Sequence, residues 1–182
     1  NIHATGKSGN YLRILCGEET DDSDVKVRYQ MRCNCEYEEI WTLDDGSNRL
    51  EQYDYKAFRY VCLIPSSDQI QIESVSATVR HAAFDNNACT LQTDDGVLQS
   101  VFEICKNGVK MGTQEIYVDC PTREKGQYAG DMTVTSGAQL WLTGDPFMLE
   151  KGIRDQAASA VIDPGLMAVM CGSYMQEIAD YS

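Results

Sequence analysis

Thr93-Asp94-Asp95-Gly96-Val97-Leu98-Gln99-Ser100-Val101-Phe102-Glu103-Ile104-Cys105-Lys106-Asn107-Gly108-Val109-Lys110-Met111-Gly112 is the stretch in which the chain changes its periodicity. Val97, Leu98, Val101, Phe102, Ile104, Cys105, Val109 and Met111 recur at helical intervals and form a wide apolar stripe. Thr93 or Asp94 is placed to cap its start, and Gly112 to end it.

Before this stretch the period is two. Over residues 25–35, Val25, Val27, Tyr29, Met31, Cys33 and Cys35 fall on one side and Lys26, Arg28, Gln30, Arg32 and Asn34 on the other. That predicts one half-buried antiparallel strand. Residues 11–16, 39–43 and 57–64 read as further strands, with turn signals at 44–48 and at Pro65-Ser66-Ser67-Asp68. Ile70 and Ile72, then Val75, Ala77 and Val79, alternate with a slip near Ser74, which predicts a bulge.

After it the pattern stays helical. Residues 132–142 put Val134, Ala138, Trp141 and Leu142 on an apolar side and stop at Thr143-Gly144. Asp145-Pro146 opens a third helix running to about residue 161, Asp163-Pro164-Gly165 breaks it, and a fourth begins near Gly172. A strand block followed by a helix block is a mixed all-β plus all-α chain, with a β-sandwich over residues 1–84 and helices over 85–182.

Charge narrows the function classes. The chain of 182 residues has 28 Asp+Glu against 15 Lys+Arg, a net −13, which repels nucleic acid and anionic membrane. No apolar run approaches the ~20 residues of a membrane helix. The chain opens on Asn1-Ile2-His3-Ala4 and ends inside a helical pattern, so it reads as a piece of a longer protein.

There are eight cysteines and two histidines, with no CxxC pair. Zinc ligands come in short paired spacings, so the expectation is no metal and no cofactor, with most thiols buried and free and long-range disulfides left open. Cys33 and Cys35, two apart on a strand, read as core neighbours.

Chemistry concentrates in Tyr117-Val118-Asp119-Cys120-Pro121-Thr122-Arg123-Glu124-Lys125-Gly126-Gln127-Tyr128-Ala129-Gly130-Asp131, which joins two helices. Carboxylates suit glycosidic-bond chemistry, because one protonates the leaving oxygen and another activates water or attacks. Each residue has a bland reading as well. Asp131 is placed to be a helix N-cap, Asp119 to form a turn, Glu124 to be a solvated charge and Tyr128 to pack. Arg123 and Lys125 are expected to pair with Asp119 or Asp131. Cys120 is read as structural, since Pro121 follows it and no histidine lies near in sequence.

Asp119-Cys120-Pro121-Thr122-Arg123-Glu124 with Gly130-Asp131 resembles the Asp-Cys-Pro-x-Arg-Glu … Gly-Asp signature of the α-L-rhamnosidases of glycoside hydrolase family 78. Tyr53 to Val61 looks like the Phe-Arg-Tyr strand of the sandwich before that catalytic domain, and Ile178 to Ser182 is similar to a later helix of it. The resemblance implies the start of an (α/α)6 six-hairpin barrel, incomplete here, and an inverting hydrolysis of terminal α-L-rhamnose. It matches Glu124 to the general acid, and Asp119 and Asp131 to carboxylates that hold sugar hydroxyls. It makes Arg123 the orienter of a neighbouring carboxylate. Tyr128 stands where many members have Trp, facing the sugar's apolar side; Gln127 and Ala129 are unremarkable departures.

The family's general base lies late in the barrel, and nothing in their spacing marks Glu150 or Glu177 as that base. Six hairpins take about twelve helices of ~11–12 residues each plus their loops, more than 182 residues that also carry a sandwich hold. The implied partners are a rhamnose-containing glycan, the missing part of the barrel, and other copies meeting through exposed helix faces. The isolated chain is expected to be inactive. Two other readings stay open: a non-catalytic carbohydrate-binding sandwich with a helical cap, stacking sugars on Trp41, Tyr55 or Tyr60, and a six-hairpin glycosidase of other sugar preference.

Overall fold

Antiparallel pairing organises the first part of the chain in the computed structural model, which describes residues 1–21 and 26–158. The compact unit Asn1–Val79 holds six strands: β1 (Ile2–Gly6), β2 (Tyr11–Gly17), β3 (Glu38–Thr42), β4 (Gly46–Leu50), β5 (Tyr60–Pro65) and β6 (Gln71–Val75). They make two three-stranded sheets, in the orders β4-β1-β6 and β3-β2-β5. Every pairing is antiparallel, with Ile2 opposite Leu50 in one sheet and Ile14 between Glu39 and Leu63 in the other.

The core shows why the sheets face each other. Ile2 of one sheet is buried with Leu12, Ile14 and Cys16 of the other, and Tyr37, Trp41, Leu50 and Leu63 pack around them. Ala4, Leu43 and Ile70 form a second cluster that Trp41 also touches. Burying one such aliphatic side chain stabilises by about 1.5–3 kcal/mol, so a handful of them outweighs the unpaired outer edges. The result is a small β-sandwich.

Several expectations need correction. Residues 26–35 are not one strand. Val27, Tyr29 and Met31 do alternate inward, but Cys33 and Asn34 both take positive φ, near +59°, and reverse the chain. The arms then pair as a hairpin, Gln30 opposite Glu36, with the Tyr37 N–H donating to the Tyr29 carbonyl. Asn tolerates the left-handed region, and a hairpin turn uses it. Cys33 is therefore exposed at the turn instead of lying beside Cys35 in the core. Gly46, Ser47 and Asn48 are the first half of β4 as well as turn residues, because the Asn48 side chain ties back to Asp44 while its backbone pairs with Ala4. The strand expected over 57–64 starts only at Tyr60, and the one past Ile70 ends at Val75. The bulge is present: His3 faces Ser74 and Ala4 faces Ile72, leaving Glu73 as the extra residue.

The second compact unit begins at Arg80 and carries α1 (Gly96–Gly112), α2 (Ala129–Thr143) and α3 (Phe147–Ala158). Asp95, not Thr93 or Asp94, caps α1, accepting from the N–H groups of Val97 and Leu98 at 2.9 and 3.1 Å. Gly144 in the left-handed region ends α2, and Asp145 accepts from the Phe147 N–H at 3.0 Å to open α3. The expected fourth helix, Cys171 and Glu177 lie outside the described residues. No helix among the described residues is long and apolar enough to cross a membrane.

The buried faces of the helices differ from the expected ones. On α2 the buried residues are Met132, Ser136, Gln139 and Leu140, while Val134 and Trp141 point outward. Gln139 is accepted inside because its amide is fully used: its Oε1 accepts from the Tyr117 hydroxyl at 3.0 Å, and its Nε2 donates to Thr143 Oγ1 and the Asp145 carbonyl. On α1 the inversion is sharper. Its one buried side chain is Lys106, whose ammonium donates to the carbonyls of Asn86 and Cys89, whereas Val97, Leu98, Val101 and Ile104 are exposed. Tyr117, Met132, Leu140, Met148 and Leu149 form the core of this unit.

Candidate functional site

The connection between α1 and α2 is built on Tyr117. This side chain is 1% exposed, and burial, with the Asp145 charge adding to it, pushes its phenol well above the ordinary tyrosine value. Beyond it the loop is closed by Asp119 and Gly126. The Asp119 N–H donates to the Gly126 carbonyl at 2.9 Å, and the Gly126 N–H donates to Asp119 Oδ1 at 2.7 Å. Lys125 takes a positive φ of 51° just before Gly126, completing the reversal. Inside the loop the Glu124 N–H donates to Cys120 Sγ at 3.3 Å, so the sulfur helps to hold the loop.

Four of the five candidate residues come together. Oxygens of Asp119 and Glu124 and the Cys120 sulfur all lie within 4.8 Å of one another. The Arg123 guanidinium binds Glu124, which corrects the expectation that it pairs with Asp119 or Asp131. The Tyr128 hydroxyl is hydrogen-bonded to Glu124, and that bond together with the Glu124 charge raises its phenol above the usual value. The Tyr128 ring also lies over Gly126, where an added Cβ would sit 2.8 Å from the ring. Asp131 is exposed in the first turn of α2 and is not the cap, because Tyr128 holds that position; its charge there suits the helix dipole.

Asp119 is held as a carboxylate. Burial alone would raise its carboxyl, but hydrogen bonds from the Gly126 and Cys120 backbone and from the Cys120 thiol outweigh it and bring it below the usual range. A thiol beside two carboxylates is a conceivable donor set for a divalent ion; one oxygen of each carboxylate is already engaged, Asp119 Oδ1 by the Gly126 N–H and Glu124 Oε1 by the Arg123 guanidinium.

Sequence reading passed over the residues that fix the loop in place. Gln127, taken as an unremarkable departure, donates through Nε2 to the Gly152 carbonyl at 3.2 Å and accepts at its own carbonyl from the Gln156 amide. Gly152 makes this approach possible, since a Cβ there would come within 2.3 Å of Met132 Cε. A glycine inside an amphipathic helix, four residues before a buried glutamine, was the available signal.

Chemically, the cluster offers one carboxylate fixed in its charged form and a second within reach of solvent, flanked by a guanidinium and an aromatic ring. Such a surface accepts from sugar hydroxyls and can exchange a proton with a glycosidic oxygen.

A search of curated proteins finds no match. The GH78-family rhamnosidase of Bacillus sp. GL1 has a similar fold, with a TM-score of 0.80 and 12% identical residues over 98% of this chain and 20% of its own. The chain thus spans about a fifth of that protein's length. The family model of the bacterial alpha-L-rhamnosidase 6 hairpin glycosidase domain matches residues 86–180, more than half of the sequence and including all of the loop just described. The chain therefore belongs to the bacterial α-L-rhamnosidase family.

Proposed function

We propose that this chain is the junction of an inverting α-L-rhamnosidase, joining a β-sandwich (residues 1–84) to the first helices of an (α/α)6 catalytic barrel (85–182). Glu124 is the general acid that protonates the leaving oxygen of a terminal α-L-rhamnosyl residue. Asp119 and Asp131 hold the sugar hydroxyls, Arg123 orients Glu124, and Tyr128 faces the apolar side of the ring. The observation that carries this reading is the grouping of Asp119, Arg123, Glu124 and Tyr128 in one loop of a glycosidase-family domain.

The partner of Glu124 in catalysis is not Asp119. An inverting pair stands about 6.5–9.5 Å apart to admit water, while the Asp119 and Glu124 oxygens approach within 4.8 Å. Glu150, on α3, is engaged with Arg154. As the resemblance implies, the base comes from later in the barrel, and on this reading the 182-residue chain alone is inactive. The close spacing is nearer the ~5–5.5 Å of a retaining pair, so a retaining mechanism is the specific rival. It would require Asp119 to give up its bonds to Gly126 and Cys120.

The test uses the whole parent enzyme on an aryl α-L-rhamnoside. The expected first product is β-L-rhamnose by NMR, and Glu124→Gln should lower kcat by about 10²–10⁴. An α-anomer released first would make Asp119 the nucleophile. Full activity in Glu124→Gln, or turnover by the isolated chain, would remove the assignment. A panel of other aryl glycosides separates rhamnose from another sugar preference.

A further inference from the structure

A second place in the molecule has the chemistry of a sugar site. Between the edge strands β3 and β4 of the two sheets opens a cleft of about 360 Å³ lined by Ile14, Glu39, Ile40, Trp41, Leu50 and Gln52. It lies wholly within the sandwich unit. The pairing of Leu12 with Trp41 and of Ile14 with Glu39 puts Glu39 on the same side of β3 as Trp41, the side that meets the buried cluster.

A carboxylate at such a position calls for an explanation. Alternation along a sandwich strand would place an apolar residue there. Instead Glu39 accepts from the Gln52 amide through one oxygen and from the Lys56 ammonium through the other. Lys56 is itself largely buried, its side chain 13% exposed, and lies 5.7 Å from the centre of the Tyr37 ring. A half-buried ion pair adds little net stability compared with apolar residues of the same volume. The network is thus costly as packing, and it opens onto an aromatic and aliphatic wall.

We propose that this cleft binds a neutral glycosyl residue, with Trp41 and Leu50 against the apolar face of the sugar and Gln52 and the Lys56-held Glu39 on its hydroxyls. Each partner in the network suits that ligand. A hydroxyl both donates and accepts, and here it meets a carboxylate that accepts and an amide that donates. An anion is disfavoured by Glu39 and by the chain's net −13. A wholly apolar ligand would strip water from the network without replacing it. A cleft of this volume, at the small end of ligand sites, takes a short glycan. The cleft belongs to the sandwich unit and the Glu124 loop to the helical unit, so the inference goes beyond the proposed hydrolysis, adding a non-catalytic hold on the same class of substrate.

The full 182-residue chain tests this by heteronuclear NMR titration with methyl α-L-rhamnoside, methyl α-D-glucoside and short rhamnose-containing oligosaccharides. Its two tryptophans serve as probe and control, because Trp41 lines the cleft and Trp141 is exposed on α2. The expected result is a saturable shift of the Trp41 indole and Gln52 amide signals with no shift at Trp141. Gln52→Ala should weaken binding about tenfold, ~1.4 kcal/mol, and Glu39→Gln at least as much. Gln52 stands at the rim, so its variant stays informative if Glu39→Gln fails to fold. Glu124→Gln should leave the Trp41 shift unchanged, which separates this site from the catalytic reading. No shift with any sugar up to about 50 mM, weaker than any Kd worth ~2 kcal/mol, would overturn the inference. So would binding that survives Gln52→Ala but is lost in Glu124→Gln.

Discussion

Asp119 and Gly126 are bonded to each other twice: the Asp119 N–H donates to the Gly126 carbonyl at 2.9 Å, and the Gly126 N–H donates to the Asp119 carboxylate at 2.7 Å. The pair closes the loop that carries Arg123 and Glu124. It converts a flexible connection of charged residues into a fixed presentation of them, with Gln127 pinning its far side to α3.

The Asp119 carboxyl lies below its ordinary value in the folded chain. Its contribution to holding the loop is present above the usual carboxylate value of ~3.9 and is lost as pH falls through the folded value. Hydrogen exchange at the Gly126 amide, corrected for the intrinsic pH dependence, should show constant protection from neutral pH to about 5 and falling protection in stronger acid. Asp119→Asn should remove that fall. Protection indifferent to acid in the native chain would contradict the pairing.

Tyr128 reports on Glu124. Its phenol is raised first by the hydrogen bond to Glu124 and then by that residue's charge. Glu124→Gln should bring the Tyr128 titration back toward ~10, read by NMR of the labelled ring. An unchanged titration would show that the two side chains are apart in solution.

Tyr117→Phe should destabilise the helical unit by about 1–3 kcal/mol. It removes only the hydroxyl from the core and leaves Gln139 Oε1 buried without its donor. Denaturant unfolding measures the loss. The raised Tyr117 phenol adds a pH signature. Stability should be full below the unfolded tyrosine value of ~10 and decline as pH rises above it. This decline should be reduced in Tyr117→Phe.

Two glycines should respond in opposite senses to alanine. At Gly17 on β2, a Cβ would sit 2.4 Å from the Arg28 carbonyl oxygen, a backbone atom that cannot step aside. Gly17→Ala should cost about 1–3 kcal/mol or more. At Gly108 in α1 nothing lies within 4 Å, so Gly108→Ala should stabilise by roughly 0.5–1 kcal/mol through helix propensity. Thermal unfolding of the two variants decides both.

The sequence made legible whatever depended on local pattern. Strands β2 and β3, the bulge at Glu73 and the start of α3 at Asp145 follow from alternation and capping. Strands β1 and β4 were missed because each is short and reaches stability only by pairing with the other, a non-local event. The reversal at Cys33-Asn34 was hidden by an alternation that continued through it. Helix periodicity showed which residues share a face but not which face turns inward. On α2 the answer depended on Tyr117 meeting Gln139, 22 residues away. In the loop, the residue types were readable, while the pairing of Arg123 with Glu124 and the clamp from Gln127 to Gly152 were set by the fold.

The inverted helix α1, with an ammonium inside and a row of aliphatic side chains outside, makes the chain's behaviour in solution a contest between two ranges of force. At low ionic strength the surplus of thirteen negative charges keeps molecules apart. Adding a strongly salting-out salt such as ammonium sulfate both shortens the Debye length, to about 3 Å at 1 M, and strengthens the attraction between the greasy rows. The chain should therefore scatter light as a monomer in dilute buffer and pass reversibly to larger species as sulfate is added. Replacing Val97 and Ile104 with glutamate should move that crossover to higher salt.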